Sequence, residues 1–295
     1  MALAGCALVS AIFALHYSIA REILDSGVSP YALSSWRGIV GGALILLYFK
    51  DKLEIRHVKT NFLPLLMVAF LGFFINQIFF MKGLKLTSTV NVALLSNTLP
   101  IISLLFALVT GQERATPPKI AGVTISFFLI CYLILGNSKA SSIEFLNLGN
   151  TLILLNVLAF CGAFIVGKRL LNKDFPFELL AGKMLLGGGI LMLFMAKENM
   201  LDIPTYSALG LKEFLYVTFE IIISTSMAYL LNIWTLEQLD VTKVTFFIYL
   251  QPMIASIATF FMHGTTPAPQ SWLIYAGIIL SGFMVLRPKS VKKIV

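Results

Sequence analysis

Charge is what this chain has least of. Asp, Glu, Lys and Arg make up only 12% of its 295 residues, about half the share of a soluble domain. So little charge cannot cover a surface in water. This excludes an ordinary cytosolic enzyme, a nucleic-acid module and a disordered regulator. Acids are scarcer than bases, 14 against 22, and the net charge is +8. The bases sit in short clusters between apolar runs, so the excess does not indicate a nucleic-acid partner. Cysteine is nearly absent. Cys6, Cys131 and Cys161 all fall inside apolar runs, an odd number that provides neither a disulfide framework nor metal-ligand spacing. There is no Walker motif, no HExxH, no pair of Asp and no clustered His, so neither an enzyme nor a metal or cofactor site is expected. The first 20 residues lack the basic region and cleavage site of a signal peptide. They read as a retained helix, and the abrupt start leaves room for a short cytoplasmic lead.

What is present is apolar: 58% hydrophobic residues and a mean hydropathy of +0.89. A crossing helix needs about 20 mostly apolar residues. Runs of that kind cover 1–20, 31–49, 62–81, 86–110, 118–136, 148–167, 177–196, 212–234, 241–262 and 270–287. Turn and charge signals separate them, such as Asp25-Ser26-Gly27, Lys50-Asp51-Lys52, Pro117-Pro118 and Pro267-Ala268-Pro269. With the N-terminus inside, 14 Lys and Arg fall on the cytoplasmic side and 6 outside, among them Lys139 and Lys197, while Arg37 and Lys183 lie within helices. That bias places both termini in the cytoplasm.

The chain repeats itself. Residues 30–47 align without gaps on 176–193, matching Pro30 with Pro176, Arg37 with Lys183 and the double glycines. Pro100 in the fourth run matches Pro252 in the ninth. Five runs per half is an odd number, so the second half enters the membrane inverted. The expected fold is an all-α polytopic membrane protein of ten transmembrane helices in two inverted five-helix repeats, residues 1–140 and 141–295. Inverted repeats of this kind characterise secondary transporters.

The stretch from Gly83 to Leu135 carries a family resemblance. It reads Gly-Leu-Lys-Leu-Thr-Ser-Thr from Gly83, Leu-Pro-Ile-Ile-Ser around Pro100, Gly-Gln-Glu-Arg ending in Glu113-Arg114, and a late Gly122. The second half echoes it with Leu-Asp-Val-Thr-Lys-Val from Leu239, Gln251-Pro252 and Gly277, but has Gly264-Thr265-Thr266 where the acid would stand. His16-Tyr17-Ser18 and Arg21 lie where polar and basic residues recur in that family. Over nearly its whole length the chain resembles the EamA-type ten-helix permeases of the drug/metabolite transporter (DMT) superfamily. The resemblance implies helices one to four and six to nine around a central cavity, with five and ten as outer buttresses. It does not select among amino acids, nucleotide-linked metabolites, sugars and drugs.

Of the 14 acids only Glu220 lies well inside a run. A carboxylate facing lipid is costly, so Glu220 should face the bundle interior. It is a structural partner to a base, a ligand for a substrate amine, or a proton carrier. Arg37 lies about 11 Å deep in its helix and Glu220 is at matching depth, at 1.5 Å per residue. The two form either a site for both charged ends of an amino acid or a static ion pair. Lys183 either snorkels to the interface or meets an anionic substrate. Asn76, Gln77, Asn97, Tyr229, Tyr249 and Gln251 either bridge helices or line a wet cavity. Asn97 and Gln251 are favoured for the cavity because they adjoin Pro100 and Pro252, the candidate hinges. His16 stands five residues from Arg21 and is read as reaching the outer surface, with a pH switch as the alternative.

The expected function is secondary transport of small polar metabolites by alternating access. Export of amino acids or related compounds is favoured. Uptake or exchange of a nucleoside- or S-adenosylmethionine-like substrate is the alternative, and a channel a distant one. The expected partners are a small-molecule substrate and lipid, with the chain a monomer or weak homodimer in a bacterial inner membrane.

Overall fold

The computed structural model describes residues 1–52, 59–87, 89–114, 116–137, 147–196, 210–254, 256–257 and 269–286, and there the chain is helical. Arg56, Lys139, Lys197, Arg287, Lys289, Lys292 and Lys293, which carry part of the charge asymmetry, lie outside the described residues, as does Gly264-Thr265-Thr266. The helices are α1 (Ala2–Asp25), α2 (Pro30–Tyr48), α3 (Phe62–Leu86), α4 (Thr89–Ser96, then Leu99–Val109), α5 (Pro117–Asn137), α6 (Leu148–Leu171), α7 (Phe177–Ala196), α8 (Leu211–Gln238), α9 (Val241–Ile254) and α10 (Pro269–Leu286). Proline opens α2, α5 and α10, where its missing N–H costs no helical bond. The Asn147 side chain caps α6 by accepting from the Asn150 N–H at 2.8 Å.

Eight of these helices are long and apolar enough to cross a membrane; α2 and α9 are not among them. Arg37, Ser34 and Ser35 lower the hydropathy of α2, and α9 is described only as far as residue 257. The exposed surface agrees with a lipid environment. Leu47, Phe128, Phe194, Leu273 and Leu280 each expose well over half of their surface, and large apolar side chains spread so widely would drive a soluble chain to aggregate. The protein is a multi-pass membrane protein.

Packing follows a regular scheme: α1 lies on α8, α2 on α7, α3 on α6, α4 on α9 and α5 on α10. Exchanging the first five helices with the second five leaves this list of pairs unchanged. The α2–α7 contact is the most extensive. Gly38 stands against Gly189, and Leu46 against Gly182, so the two helices run antiparallel. A Cβ added at Gly38 would sit 2.6 Å from the Gly189 Cα. Only glycine allows the backbones to approach this closely.

Four irregularities matter for the site. Helices α3 and α8 each contain a π-helical stretch, Phe70–Phe74 and Glu220–Met227. In α8, Thr225 Oγ1 donates to the Glu220 carbonyl at 2.7 Å and Ser226 Oγ to the Ile221 carbonyl at 2.8 Å. These five-residue links match the wider turn, a feature that recurs at functional sites. Helix α4 breaks at Asn97-Thr98, just before Pro100, and α9 tightens into a 3₁₀ turn at Phe247–Leu250, just before Pro252. Each interruption lies where a proline withholds a helical N–H.

Candidate functional site

The site begins with Arg37, buried to 1% exposure on α2. Its Nε donates to Thr225 Oγ1 at 2.8 Å and its Nη2 to Ser224 Oγ at 3.3 Å. Nε also lies 3.3 Å from Glu220 Oε2. The π-helical stretch of α8 thus supplies a carboxylate and two hydroxyls to one guanidinium. On the other side of Glu220 stands His16 of α1, with Nδ1 2.7 Å from Oε2. Ser224 Oγ donates to the same oxygen at 3.1 Å. Glu220 is wholly buried, an arrangement tolerable in a membrane protein only because both its oxygens have donors. Arg37 and Glu220 meet as their matched depth implies.

His16 corrects the sequence reading. It does not reach the surface but is 6% exposed and bound to Glu220. The signal was available in the phase of α1, since Cys6, Val9, Ser10, Phe13 and His16 fall on one face at helical spacing. All five line one cavity.

That cavity has a volume of about 120 Å³ and is walled by residues of α1, α2, α3, α4, α6, α8 and α9, enough room for several waters or a small solute. Among the described residues neither α5 nor α10 contributes to it, and neither does α7, which the family resemblance implied would. From Cys6 to His16 it runs about 15 Å along α1 at 1.5 Å per residue. Of the expected residues, Arg37, Asn76, Gln77, Tyr229 and Gln251 line it. Glu220 lies directly behind Arg37 and His16. Asn76 Nδ2 donates to the Asn156 carbonyl at 3.3 Å, and Asn156 Nδ2 returns a bond to the Asn76 carbonyl at 2.9 Å, tying α3 to α6. Ser96 and Ile248 also line the cavity. Each is four residues before a proline, so its carbonyl receives no helical bond from Pro100 or Pro252.

Three expected residues lie elsewhere. Asn97 donates to the Ala93 carbonyl of its own helix at 2.7 Å. Tyr249 packs between α5 and α10 and donates to the Val123 carbonyl at 3.4 Å. Lys183 is half-buried on α7 and does not line the cavity.

At the opposite end of α1 from His16 the bundle is tied by a second polar group. Glu113 Oε2 accepts from Lys119 Nζ at 2.7 Å, and Oε1 accepts from the Thr242 backbone N–H at the start of α9 at 2.9 Å. Lys168 Nζ donates to the Leu236 carbonyl at 2.7 Å and the Glu237 carbonyl at 3.0 Å, where α8 ends. The sequence reading noted Glu113 but missed its near neighbour Lys119, six residues on, and Lys168, whose partners are remote in the chain.

The profile of the EamA-like transporter family matches residues 1–135 and 147–287. The chain belongs to the EamA-like transporter family. It is similar to an uncharacterized transporter of Archaeoglobus fulgidus, 24% identical over 81% of this chain and 82% of that protein. It is also similar to the uncharacterized transporter YyaM of Bacillus subtilis, 22% identical over 87% of this chain and 84% of that one. Protein WALLS ARE THIN 1 of Arabidopsis thaliana is 28% identical over 38% of this chain and 30% of its own. A solved crystal structure superposes with a TM-score of 0.78 at 17% identity, covering 97% of this chain and 95% of that one, which shows the shared fold. This EamA protein is a transporter of the DMT superfamily.

Proposed function

We propose that this EamA protein is a secondary transporter of small polar metabolites that works by alternating access in a bacterial inner membrane, as a monomer or weak homodimer. Ten spans form two inverted five-helix repeats, with both termini cytoplasmic. The observation that carries the reading is the cavity, built from helices of both halves and bordered by two proline-interrupted helices, α4 and α9. Discontinuous helices at a repeat interface are where transporters place their substrate sites. The inverted relation is supported by the antiparallel α2–α7 crossing, since these helices occupy equivalent places in the two halves. The Glu113 and Lys168 contacts form a closure at the cytoplasmic end that an inward-open state must break. Amino acids and related compounds are the expected cargo, moved outward.

The test is flux in proteoliposomes, screened over amino acids, nucleosides and S-adenosylmethionine-like metabolites. Saturable, substrate-selective movement with counterflow is expected. A conductance that rises linearly with concentration would replace the carrier with a channel.

A further inference from the structure

The transport reading leaves open which chemical group the cavity recognises. We propose that the cavity takes an organic monocarboxylate, read through Arg37, and that it does not read an ammonium group. This rests on the transport reading above and narrows its cargo from amino acids to related compounds that carry a carboxylate without an ammonium. The geometry separates the two charges of the Arg37–Glu220 pair. Arg37 lines the cavity, as does His16, whereas Glu220 does not. Among the described residues no carboxylate lines it; the other wall groups are amides, hydroxyls and apolar side chains. An ammonium entering this space would meet a guanidinium and find no anion in the wall, and a buried unpaired cation is strongly unfavourable.

Arg37 is equipped to bind one more acceptor. A guanidinium has five N–H donors, and Nη1 has no partner in this structure. A carboxylate is the group that this planar fork matches best. Glu220 would not be stranded when Arg37 turned to a ligand. Both its oxygens remain within 2.8 Å of His16 Nδ1, and Ser224 still donates to Oε2. Glu220 therefore acts as a resident counterion that holds Arg37 in the empty site and competes with the incoming carboxylate. Around this pole, Phe13, Phe80, Phe160, Val157 and Leu99 provide apolar wall, which suits a short hydrocarbon body behind the charged head.

The experiment uses the purified full chain and three ligand sets at constant ionic strength: acetate, butyrate and hexanoate; butylamine and hexylamine; and valine. Thermal stabilisation in detergent reads binding, and counterflow in proteoliposomes reads transport. The carboxylates should stabilise the protein, the amines should not, and valine should do no better than butyrate. Arg37→Gln should weaken carboxylate binding about ten- to a hundredfold, the value of a charged hydrogen bond. Glu220→Gln should keep or tighten it, because the competitor is gone. If either variant does not fold, the wild-type comparison of carboxylates with amines still decides. Stabilisation by butyrate no greater than by butylamine overturns the proposal, as does valine binding that is lost in Glu220→Gln. Saturable flux of amines without carboxylate preference overturns this subsite and leaves the carrier intact. Carboxylate binding with no flux overturns the carrier reading and leaves the subsite.

Discussion

At the residue scale the cluster of Arg37, Glu220 and His16 is unequal in what each member can lose. Removing Arg37 leaves Glu220 with His16 and Ser224. Removing Glu220 leaves Arg37 with two neutral hydroxyls, Thr225 and Ser224. An orphaned buried charge costs about 3–5 kcal/mol. Glu220→Ala should therefore lower thermal stability more than Arg37→Ala. The double variant should lose less than the two losses together, since no unpaired charge remains. Fluorescence-detected size exclusion across a temperature series gives all three values. Strictly additive losses would mean that the two side chains do not depend on each other.

At the element scale, function hangs on how closely helices approach and where they bend. The α2–α7 crossing has no room for a methyl group at Gly38, where backbone atoms of Gly189 stand in the way. Gly38→Ala should cost about 1–3 kcal/mol through overpacking. Gly167→Ala is the control: its Cβ would meet nothing nearer than 3.6 Å, so this change should be neutral or slightly stabilising, because glycine disfavours a helix interior. Equal effects at the two positions would discount the close crossing. The prolines act in the opposite sense. Pro100→Ala and Pro252→Ala restore a helical N–H, so each variant should keep or gain thermal stability while flux falls. Native flux in the double variant would remove α4 and α9 as moving parts.

At the scale of the whole molecule, the pairing of α1–α5 with α6–α10 places seven helices around the cavity, keeps α7 behind α2, and sets α5 and α10 aside. Ser126 and Ser281 oxygens meet at 2.5 Å between those two outer helices, a contact that seals a buttress away from the cavity. Lys85 and Lys173 stand at opposite ends of the bundle. Single cysteines at Lys85→Cys and Lys173→Cys should react with an impermeant maleimide from opposite sides of the membrane, with Lys173→Cys labelled from the cytoplasm. Labelling from the same side would contradict the alternation of the spans.

The sequence by itself determined the environment, the approximate positions of the helices, the places where α4 and α9 are interrupted and the match of Arg37 with Glu220. Each of these follows from local quantities: apolar run length, Pro30 at a helix start, the missing N–H of Pro100 and Pro252, and a rise of about 1.5 Å per residue that put Arg37 level with Glu220. The phase of α1 already carried the inward face of His16, but the tertiary structure decided its partner and which way the other polar residues face. Tyr249 and Lys183 lie at plausible depths yet turn away from the cavity, while His16 turns inward to Glu220. Facing depends on rotation about the helix axis relative to neighbours as far as 237 residues away in the chain. The π-helical stretch of α8 resets that rotation locally, bringing Glu220, Ser224 and Thr225 onto Arg37 together. No local pattern encodes such a choice, because it is settled by which antiparallel partner each helix packs against.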